Sequence, residues 1–447
     1  MRTEAPESST LRFLLPSLLG ALIFLVPLPW QGGVTLGIAI LTSGVRQLLA
    51  DGALPLLVAV ISVSAAATVL ASVVRWRWLT KRPFLQSLFV VSPLWVILRL
   101  LGVLFAIAYV GQVGPQVLQG ESVGGAVFRD IGVNMLMVYV VACLLLPLLT
   151  DYGLMEFIGT LCGPFFNRVL RLPGQAAIDA TASVVGASAI GLLITIGQYE
   201  RGRYTAREAC VIATCFSIVS IPFSLLVATV AGIEGLFLPW YATVLATCLL
   251  IAVVLPRLPP LAGKSSRYYG EAAPLTTGDE AGSLWQLAWR RARERAAQAP
   301  GLWGLLASGV RNLAFFAFVV IGASLALAAL AALLVFHTEV FVVLGKPFVW
   351  LLQGLGLPAA EQAAPALFSG FLDQFMPALA AGAIESERTS FVLAGLSVCQ
   401  LVFLSEVGVI MLRSSLPLGL WDLLLIFLLR TAIALPALVL GAYLFVS

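Results

Sequence analysis

Residues 183–191 read Ser-Val-Val-Gly-Ala-Ser-Ala-Ile-Gly and lie at the centre of an apolar segment, residues 176–197. The segment is as long as a membrane-spanning helix, which needs about 20 residues. Its centre, however, contains Gly186, Gly191 and small side chains that weaken a helix. We therefore predict that the helix breaks here and that the chain turns back on itself. Such a break is tolerated at membrane depth when it is buried in protein or lines a cavity.

The composition of the whole chain supports the membrane setting. Hydrophobic residues make up 60% and charged residues 11%, whereas soluble domains contain about 25% charged residues. The net charge of +4 is small and gives no reason to expect nucleic-acid binding. The six cysteines have no CxxC spacing and are expected to be small buried side chains. His337 is the single histidine, which excludes a multi-histidine metal site.

Apolar segments are expected to form the membrane helices. They fall near residues 13–29, 54–74, 84–110, 131–149, 176–197, 209–231, 238–256, 312–335, 362–384, 389–412 and 419–444. Residues 33–51 are half polar and are predicted to lie at the membrane interface. The long loop at 257–300 ends in a basic run after Trp285 and Trp289, which predicts an amphipathic helix on the membrane surface.

Basic loops then give the topology. Lys and Arg collect in cytoplasmic loops, so the basic residues at 75–82 and 290–295 should share the cytoplasmic side with the N-terminus. A full crossing by residues 176–197 would place the basic run at 290–295 outside. A hairpin at 176–197 removes the conflict, and the same interpretation of 362–384 places Glu385 and Glu387 outside.

The two halves of the chain share matching positions at a nearly constant separation. The pairs are Pro164 with Pro347, Leu172-Pro173 with Leu357-Pro358, Thr205 with Thr389, and Cys215 with Cys399. Each half has three crossings and one hairpin, and an odd number of crossings inverts the second half. The predicted organisation is an N-terminal transmembrane region (1–125), a first repeat (126–256), a cytoplasmic loop with a basic amphipathic helix (257–308) and a second repeat (309–447).

Several short motifs also resemble a known family. In the first half they are Gly163-Pro164-Phe165, the run 186–193, the stretch 204–209 and Thr214 to Ser220; in the second they are 370–379 and 403–407. These stretches resemble the gate (nucleoside-recognition) domain and, in the second half, its YjiH-type branch. The resemblance implies a membrane protein with two gate domains that is distantly similar to concentrative nucleoside transporters. It implies solute movement without fixing the solute.

Charged residues at membrane depth are the first candidates for a functional site, because each costs roughly 2.5–3.5 kcal/mol to insert. Asp373 and Glu406, with the neighbouring polar residues Gln374, Ser405 and Gln400, could bind a substrate or a coupling ion, Na⁺ or H⁺. The alternative is a structural ion pair of Glu406 with Arg430 or Arg99. Asp179, near the entrance of the first hairpin, is a further candidate.

The break in the first hairpin offers a different kind of site. Unwound amides and helix N-termini near Gly186 and Ser188 carry partial positive charge and can hold a polar group. Small residues that merely allow close helix packing are the alternative. Thr214, Ser217 and Ser220 share one helical face and could line the same region. Hydroxyls that bond back to their own helix are the alternative for this stripe.

An enzyme is not expected. Residues 120–124 fit the GxSxG pattern of serine hydrolases, but the pattern lies in a glycine-rich exterior loop. His337 is the sole candidate base, and nothing in the sequence places it near Ser122.

The predicted protein is therefore an all-α, multi-pass helical bundle of the bacterial inner membrane. We expect a secondary transporter that carries a small polar solute, nucleoside-like or amino-acid-like, by alternating access. The alternative is a channel-like or accessory subunit that works with a partner gate-domain membrane protein. No cofactor is predicted beyond a coupling ion, Na⁺ or H⁺. The lipid bilayer surrounds the protein, and the sequence does not decide whether the chain forms a homo-oligomer.

Overall fold

The chain is almost entirely helical. A computed structural model describes residues 8–30, 33–72, 74, 78, 81–185, 188–216, 219–271, 283–405 and 407–446. Within these residues the one sheet is an antiparallel pair, β1 (Pro27–Trp30) and β2 (Gly33–Leu36). The predicted all-α class is confirmed.

Six helical stretches of the described chain are long and apolar enough to cross a bilayer. They are Gly37–Ser72, Pro93–Val110, Gln116–Thr150, Glu234–Arg257, Leu302–His337 and Leu420–Phe445. Each overlaps one predicted apolar segment, which confirms a multi-pass membrane protein.

The described part of the N-terminal region contains six helices. They are α1 (Ser8–Phe24), α2 (Gly37–Leu49), α3 (Ala53–Ser72), α4 (Pro83–Phe89), α5 (Pro93–Val110) and α6 (Gln116–Gln119). The first predicted span, residues 13–29, is wrong beyond Phe24, where α1 ends and β1 follows. Arg99 of α5 is buried and donates to Thr68 of α3 and to the Leu88 carbonyl, so it joins helices within this region.

The first half continues through a π-helical segment, Glu121–Gly132, into a run of helices. They are α7 (Val133–Leu145), α8 (Pro147–Thr150), α9 (Leu154–Phe165), α10 (Ala176–Val185), α11 (Ser188–Glu200), α12 (Ala206–Cys215), α13 (Ile221–Val230) and α14 (Phe237–Val254). Helices α10 and α11 fold back against each other, because Thr195 donates to Asp179 at 3.2 Å and Gly191 lies against Ser183. The predicted first hairpin is therefore present.

The loop and the second half contain the remaining described helices. They are α15 (Leu284–Ala297), α16 (Leu302–Phe315), α17 (Ile321–His337), α18 (Val340–Gly354), α19 (Ala360–Ala363), α20 (Ala366–Ser369), α21 (Phe375–Gly382), α22 (Glu387–Cys399), α23 (Val407–Arg413) and α24 (Leu420–Phe445). A π-helical turn, Phe316–Val320, joins α16 to α17. Helices α19 to α21 form the second hairpin, with Gly370 packed against Pro377.

Two predicted continuous spans are interrupted, and this part of the prediction is wrong. Residues 209–231 divide into α12 and α13, and residues 389–412 divide into α22 and α23. Pro222 at the start of α13 has no N–H to continue the ladder from α12. Leu401, just after α22, has φ of 57° and takes the chain out of the helical conformation.

The bases of the two hairpins lie at opposite ends of α24. Tyr199, at the end of the first hairpin, packs on Tyr269, and Lys264 of the same loop bonds Asp422 in the first turn of α24 at 2.8 Å. Arg388, just after the second hairpin, donates to the Val446 carbonyl beyond the other end of α24 at 3.2 Å. The hairpins therefore approach the middle of the bundle from opposite directions.

Helix α15 packs on the first half of the chain. Ala288, Ala292 and Ala296 are fully buried, and Trp289 contacts Phe13 of α1 edge to face at 5.4 Å. The predicted basic amphipathic helix is present, and its apolar face rests on protein. We call this end of the molecule the α15 side.

Candidate functional site

A small cavity lies where the first hairpin, the first broken helix and the second hairpin meet. Its volume is about 30 Å³, which has room for one or two water molecules. Residues of α7, of α13 and of the π-helical turn after α16 line this cavity. Residues at the starts of α11, α13 and α21 complete the lining. We call it the central cavity.

Three helices begin at this cavity. Ser188 is the first residue of α11, Ser220 immediately precedes α13, and Gln374 immediately precedes α21, and all three line the cavity. Unpaired N–H groups and the helix dipole give each N-terminus a partial positive charge of about half a unit. The cavity is therefore suited to carbonyl, hydroxyl or other electron-rich groups.

The polar side chains at these N-termini have unused hydrogen-bonding capacity. Gln374 is 4% exposed, and its side-chain amide has no partner among the described residues. The Ser220 side chain precedes α13 without capping it. The Gln374 amide lines the central cavity, where a bound solute or water could pair with it.

Aromatic rings form the remaining wall of the central cavity. Tyr139 and Phe316 stack with centroids 4.4 Å apart, and Phe223 packs on Phe375 at 5.0 Å. Phe316 begins a π-helical turn, a distortion that is frequent at functional sites. These aromatic residues were missed in the sequence, because apolar segments contain many rings without any marker of which ones face a cavity.

Asp373 lies next to Gln374 but faces the tip of the second hairpin. Its Oδ1 accepts from the Phe375 N–H at 2.9 Å, and its carboxylate lies beside the Ser405 side chain. The Ser405 N–H donates to the Leu372 carbonyl at 3.1 Å. Asp373 and Ser405 are thus brought together as predicted, at the junction of the second hairpin and the second break.

Arg430 bonds both broken helices, and Gln400 bonds the second hairpin and α24. Arg430 of α24 is fully buried and donates to the Thr214 carbonyl at 2.6 Å and to the Cys399 carbonyl at 2.7 Å. Gln400 donates to the Leu367 carbonyl at 2.8 Å and to Thr431 at 2.9 Å. Arg430 therefore bonds one carbonyl at each break, whereas Gln400 links the second hairpin to α24.

Asp179 lies away from the central cavity. It is buried in the first hairpin, where it accepts from Tyr204 at 2.9 Å and from Thr195 at 3.2 Å. It borders a larger open cavity on the α15 side instead.

Thr214 bonds back to the Cys210 carbonyl at 2.7 Å, the structural alternative for its hydroxyl.

Three predicted site residues lie outside the described residues: Gly186, Ser217 and Glu406. The alternative pairing of Glu406 with Arg430 therefore also lies outside the described residues.

Five of the six cysteines are buried, as expected for small apolar side chains.

Ser122 and His337 meet, contrary to the sequence-based expectation. The Ser122 hydroxyl lies 3.5 Å from His337 Nε2, because the π-helical segment before α7 begins beside the C-terminus of α17. Both side chains are exposed, and Ser122 lies in a helical turn rather than in the strand-to-helix elbow that the GxSxG motif requires. The neighbouring Glu121 is paired with Arg129 at 2.7 Å. This arrangement lacks the parts of a hydrolase triad.

Comparison with known proteins identifies the first half of the chain. The family described as Gate: Nucleoside recognition matches residues 133–235. This range contains α7 to α13, including the first hairpin and the first broken helix. The predicted resemblance to a gate domain is confirmed.

One relative matches along nearly the whole chain. An uncharacterized protein of Alkalihalophilus pseudofirmus is 39% identical over 440 residues, which cover 98% of this chain and 95% of the relative.

Solved structures of CNTnw variants are also similar. One in an outward-facing state is 14% identical, covers 98% of each chain and has a TM-score of 0.38. Another in an outward-facing state is 16% identical, covers 91% of this chain and 97% of the other, and has a TM-score of 0.42. TM-scores this low do not by themselves establish a common fold.

Proposed function

This chain belongs to the same family as the Alkalihalophilus pseudofirmus protein and contains a Gate segment, and from that premise we propose that it transports a nucleoside or nucleobase across the membrane. The observation that carries the proposal is the convergence of three helix N-termini and the Gln374 amide on one buried cavity. Nucleobases combine carbonyl oxygens with N–H groups and a flat apolar face. The helix N-termini, the amide and the aromatic wall match these three features in turn.

The proposed mechanism is alternating access. At about 30 Å³ the central cavity is too small for a nucleoside, so transport requires its walls to separate. Hairpins that approach from opposite ends of α24 are suited to this, because each can open the cavity toward one side. This geometry supports the two inverted repeats that the sequence predicts, and we retain them as part of the proposal.

Two of the four matched sequence pairs also support the repeats. Pro164 and Pro347 lie inside α9 and α18, the helices that precede the two hairpins. Cys215 and Cys399 end α12 and α22, the first parts of the two broken helices. Equivalent residues thus occupy equivalent elements in the two halves.

The test is uptake of radiolabelled adenosine, uridine, adenine and uracil into liposomes that contain the purified protein. We expect uptake of at least one of these solutes, and Gln374→Leu should lower it about tenfold or more, the effect of losing a buried hydrogen bond. Gln362→Leu is the matched control, because Gln362 is an exposed residue of the same hairpin.

Two outcomes would contradict the proposal. Normal uptake by Gln374→Leu would show that the central cavity is not the site. Failure of folded protein to move any of the four solutes, with a partner gate-domain protein restoring uptake, would favour the accessory-subunit alternative.

A further inference from the structure

A second, larger cavity opens between the first hairpin and α15. Its volume is about 410 Å³, within the range of about 300–1,000 Å³ that is typical of small-molecule sites. Helices α9, α10 and α11 form one wall, and α15 forms the other. The transport proposal above does not use this cavity, which we call the α15-side cavity.

The wall contributed by α15 is held firmly in place. Three alanines of α15 are fully buried, and Gly153, with φ of 96°, lies directly against the Ala292 backbone. Arg295 pairs with Asp151 at 3.5 Å and with Glu156 at 3.6 Å. Helix α15 is therefore part of the cavity and not a loosely attached segment.

The charges around the α15-side cavity balance one another. Glu156, Asp179 and Glu294 face Arg203, Arg291 and Arg295. Several are already engaged: Arg295 with two carboxylates, and Asp179 with two hydroxyls. Burial raises the pKa of the Glu156 carboxyl, and Arg295 opposes that rise. A balanced set of this kind favours a ligand with no net charge over a cation or an anion.

Three glutamines supply hydrogen-bonding groups to this cavity; Gln175 and Gln198 are partly buried and Gln298 is exposed. Gln175, Gln198 and Gln298 line the cavity, and their side-chain amides have no hydrogen-bond partner within the part of the chain that the structure describes. Gln198 Oε1 is shielded from solvent, and so is Glu156 Oε2. A carboxamide presents an acceptor and a donor side by side and can pair with the edge of a nucleobase through both.

The first hairpin connects the two cavities. Ser188 at the start of α11 lines the central cavity, and Gln198 near the end of the same helix lines the α15-side cavity. The intervening ten residues of helix span about 15 Å. A solute that leaves the central cavity along α11 would therefore arrive at the three glutamines.

We propose that the α15-side cavity is a second binding site for an uncharged solute bearing a nucleobase, read by Gln175, Gln198 and Gln298. This inference rests on the proposed function and adds a staging site on the side where α15 lies.

The experiment measures binding stoichiometry by equilibrium dialysis of radiolabelled adenosine and uridine against the purified full-length protein. Wild type should bind two molecules per chain, and Gln198→Leu and Gln374→Leu should each bind one. Gln198→Leu should weaken its site about tenfold. Gln175→Leu is the second variant if Gln198→Leu does not fold. Gln119→Leu is the control, since this exposed side chain bonds only the Gly114 carbonyl.

The outcomes separate this inference from the proposed function. One molecule per chain, lost in Gln374→Leu and retained in Gln198→Leu, would overturn the second site alone. One molecule lost only in Gln198→Leu would overturn the central site and support the α15-side cavity. No binding of either nucleoside by folded protein would overturn the ligand class of both.

Discussion

Asp373 shows how one side chain can combine a structural role with a functional one. Its Oδ1 accepts from the N–H of Phe375, the first residue of α21, and its carboxylate lies beside Ser405 of the second break. A neutral Asn could keep the acceptor for the cap, whereas it could not compensate the charge of a bound cation. The residue therefore allows a test of coupling that is separate from folding.

We expect Asp373→Asn to lower solute uptake driven by a Na⁺ or H⁺ gradient about tenfold or more, with little change in stability. Asp373→Ala should also destabilise the fold by about 0.5–2 kcal/mol, because the cap is lost as well. Uptake under each gradient and thermal denaturation in detergent measure the two effects. Normal gradient-driven uptake by the Asn variant, with the Ala variant destabilised, would leave Asp373 as a helix cap only.

At the scale of elements, the two broken helices are the features that a hydropathy pattern conceals. Each break leaves C-terminal carbonyls without intrahelical partners in the middle of the bundle. Arg430 donates to one such carbonyl from each break, at Thr214 and at Cys399. A single side chain on α24 thus holds both interruptions, which explains why an arginine is buried at this depth.

We expect Arg430→Met to destabilise the protein by about 3 kcal/mol or more, since hydrogen bonds to a charged group contribute about 1.5–3 kcal/mol each. Arg430→Lys should recover part of the loss, because an ammonium can reach one carbonyl. Thermal denaturation of the purified variants gives the measurement.

The matched control for Arg430 is Arg413→Met, which changes an exposed arginine at the end of α23. Equal stability of the Arg430→Met and Arg413→Met proteins would contradict a role for Arg430 in holding the breaks.

At the scale of the whole molecule, the side of the membrane from which each hairpin enters depends on the orientation of the chain in the bilayer. Helix α15 lies at one end of α7, where Tyr152 donates to the Pro300 carbonyl at 2.8 Å. Helix α6 precedes the opposite end of α7. The positive-inside rule predicts that the α15 side is cytoplasmic, and the α15-side cavity would then open toward the cytoplasm.

We expect a cysteine introduced by Glu294→Cys to react with a membrane-impermeant maleimide only in inside-out vesicles. Glu294 is suitable because its side chain is 58% exposed. Gln119→Cys, on α6, should react only in intact cells. Reversal of the two patterns would overturn the predicted orientation, while labelling of both from one side would contradict the crossing of α7.

The sequence predicted the two hairpins for a reason that is local. Small residues at 183–191 weaken the first helix itself, and the charge-based topology extends the same interpretation to 362–384. The arms of each hairpin pair with near neighbours in the chain. The interruptions of 209–231 and 389–412 were not predicted, because Pro222 and Leu401 alone do not mark a break in an apolar run. Their partners, such as Arg430 and the tip of the second hairpin, are distant in sequence.

The sequence by itself determined that this is an all-α membrane protein with apolar spans, a basic loop helix and the candidate residues Gln374, Ser220 and Ser188, because hydropathy and helix-breaking side chains act locally. Only the tertiary structure decided which residues share a cavity. It brought three helix N-termini together and placed Asp179 beside the cavity that α15 borders. It also paired Asp373 with the Phe375 N–H and Gln400 with the Leu367 carbonyl. Those outcomes depend on packing between segments far apart in the chain, which no local pattern encodes.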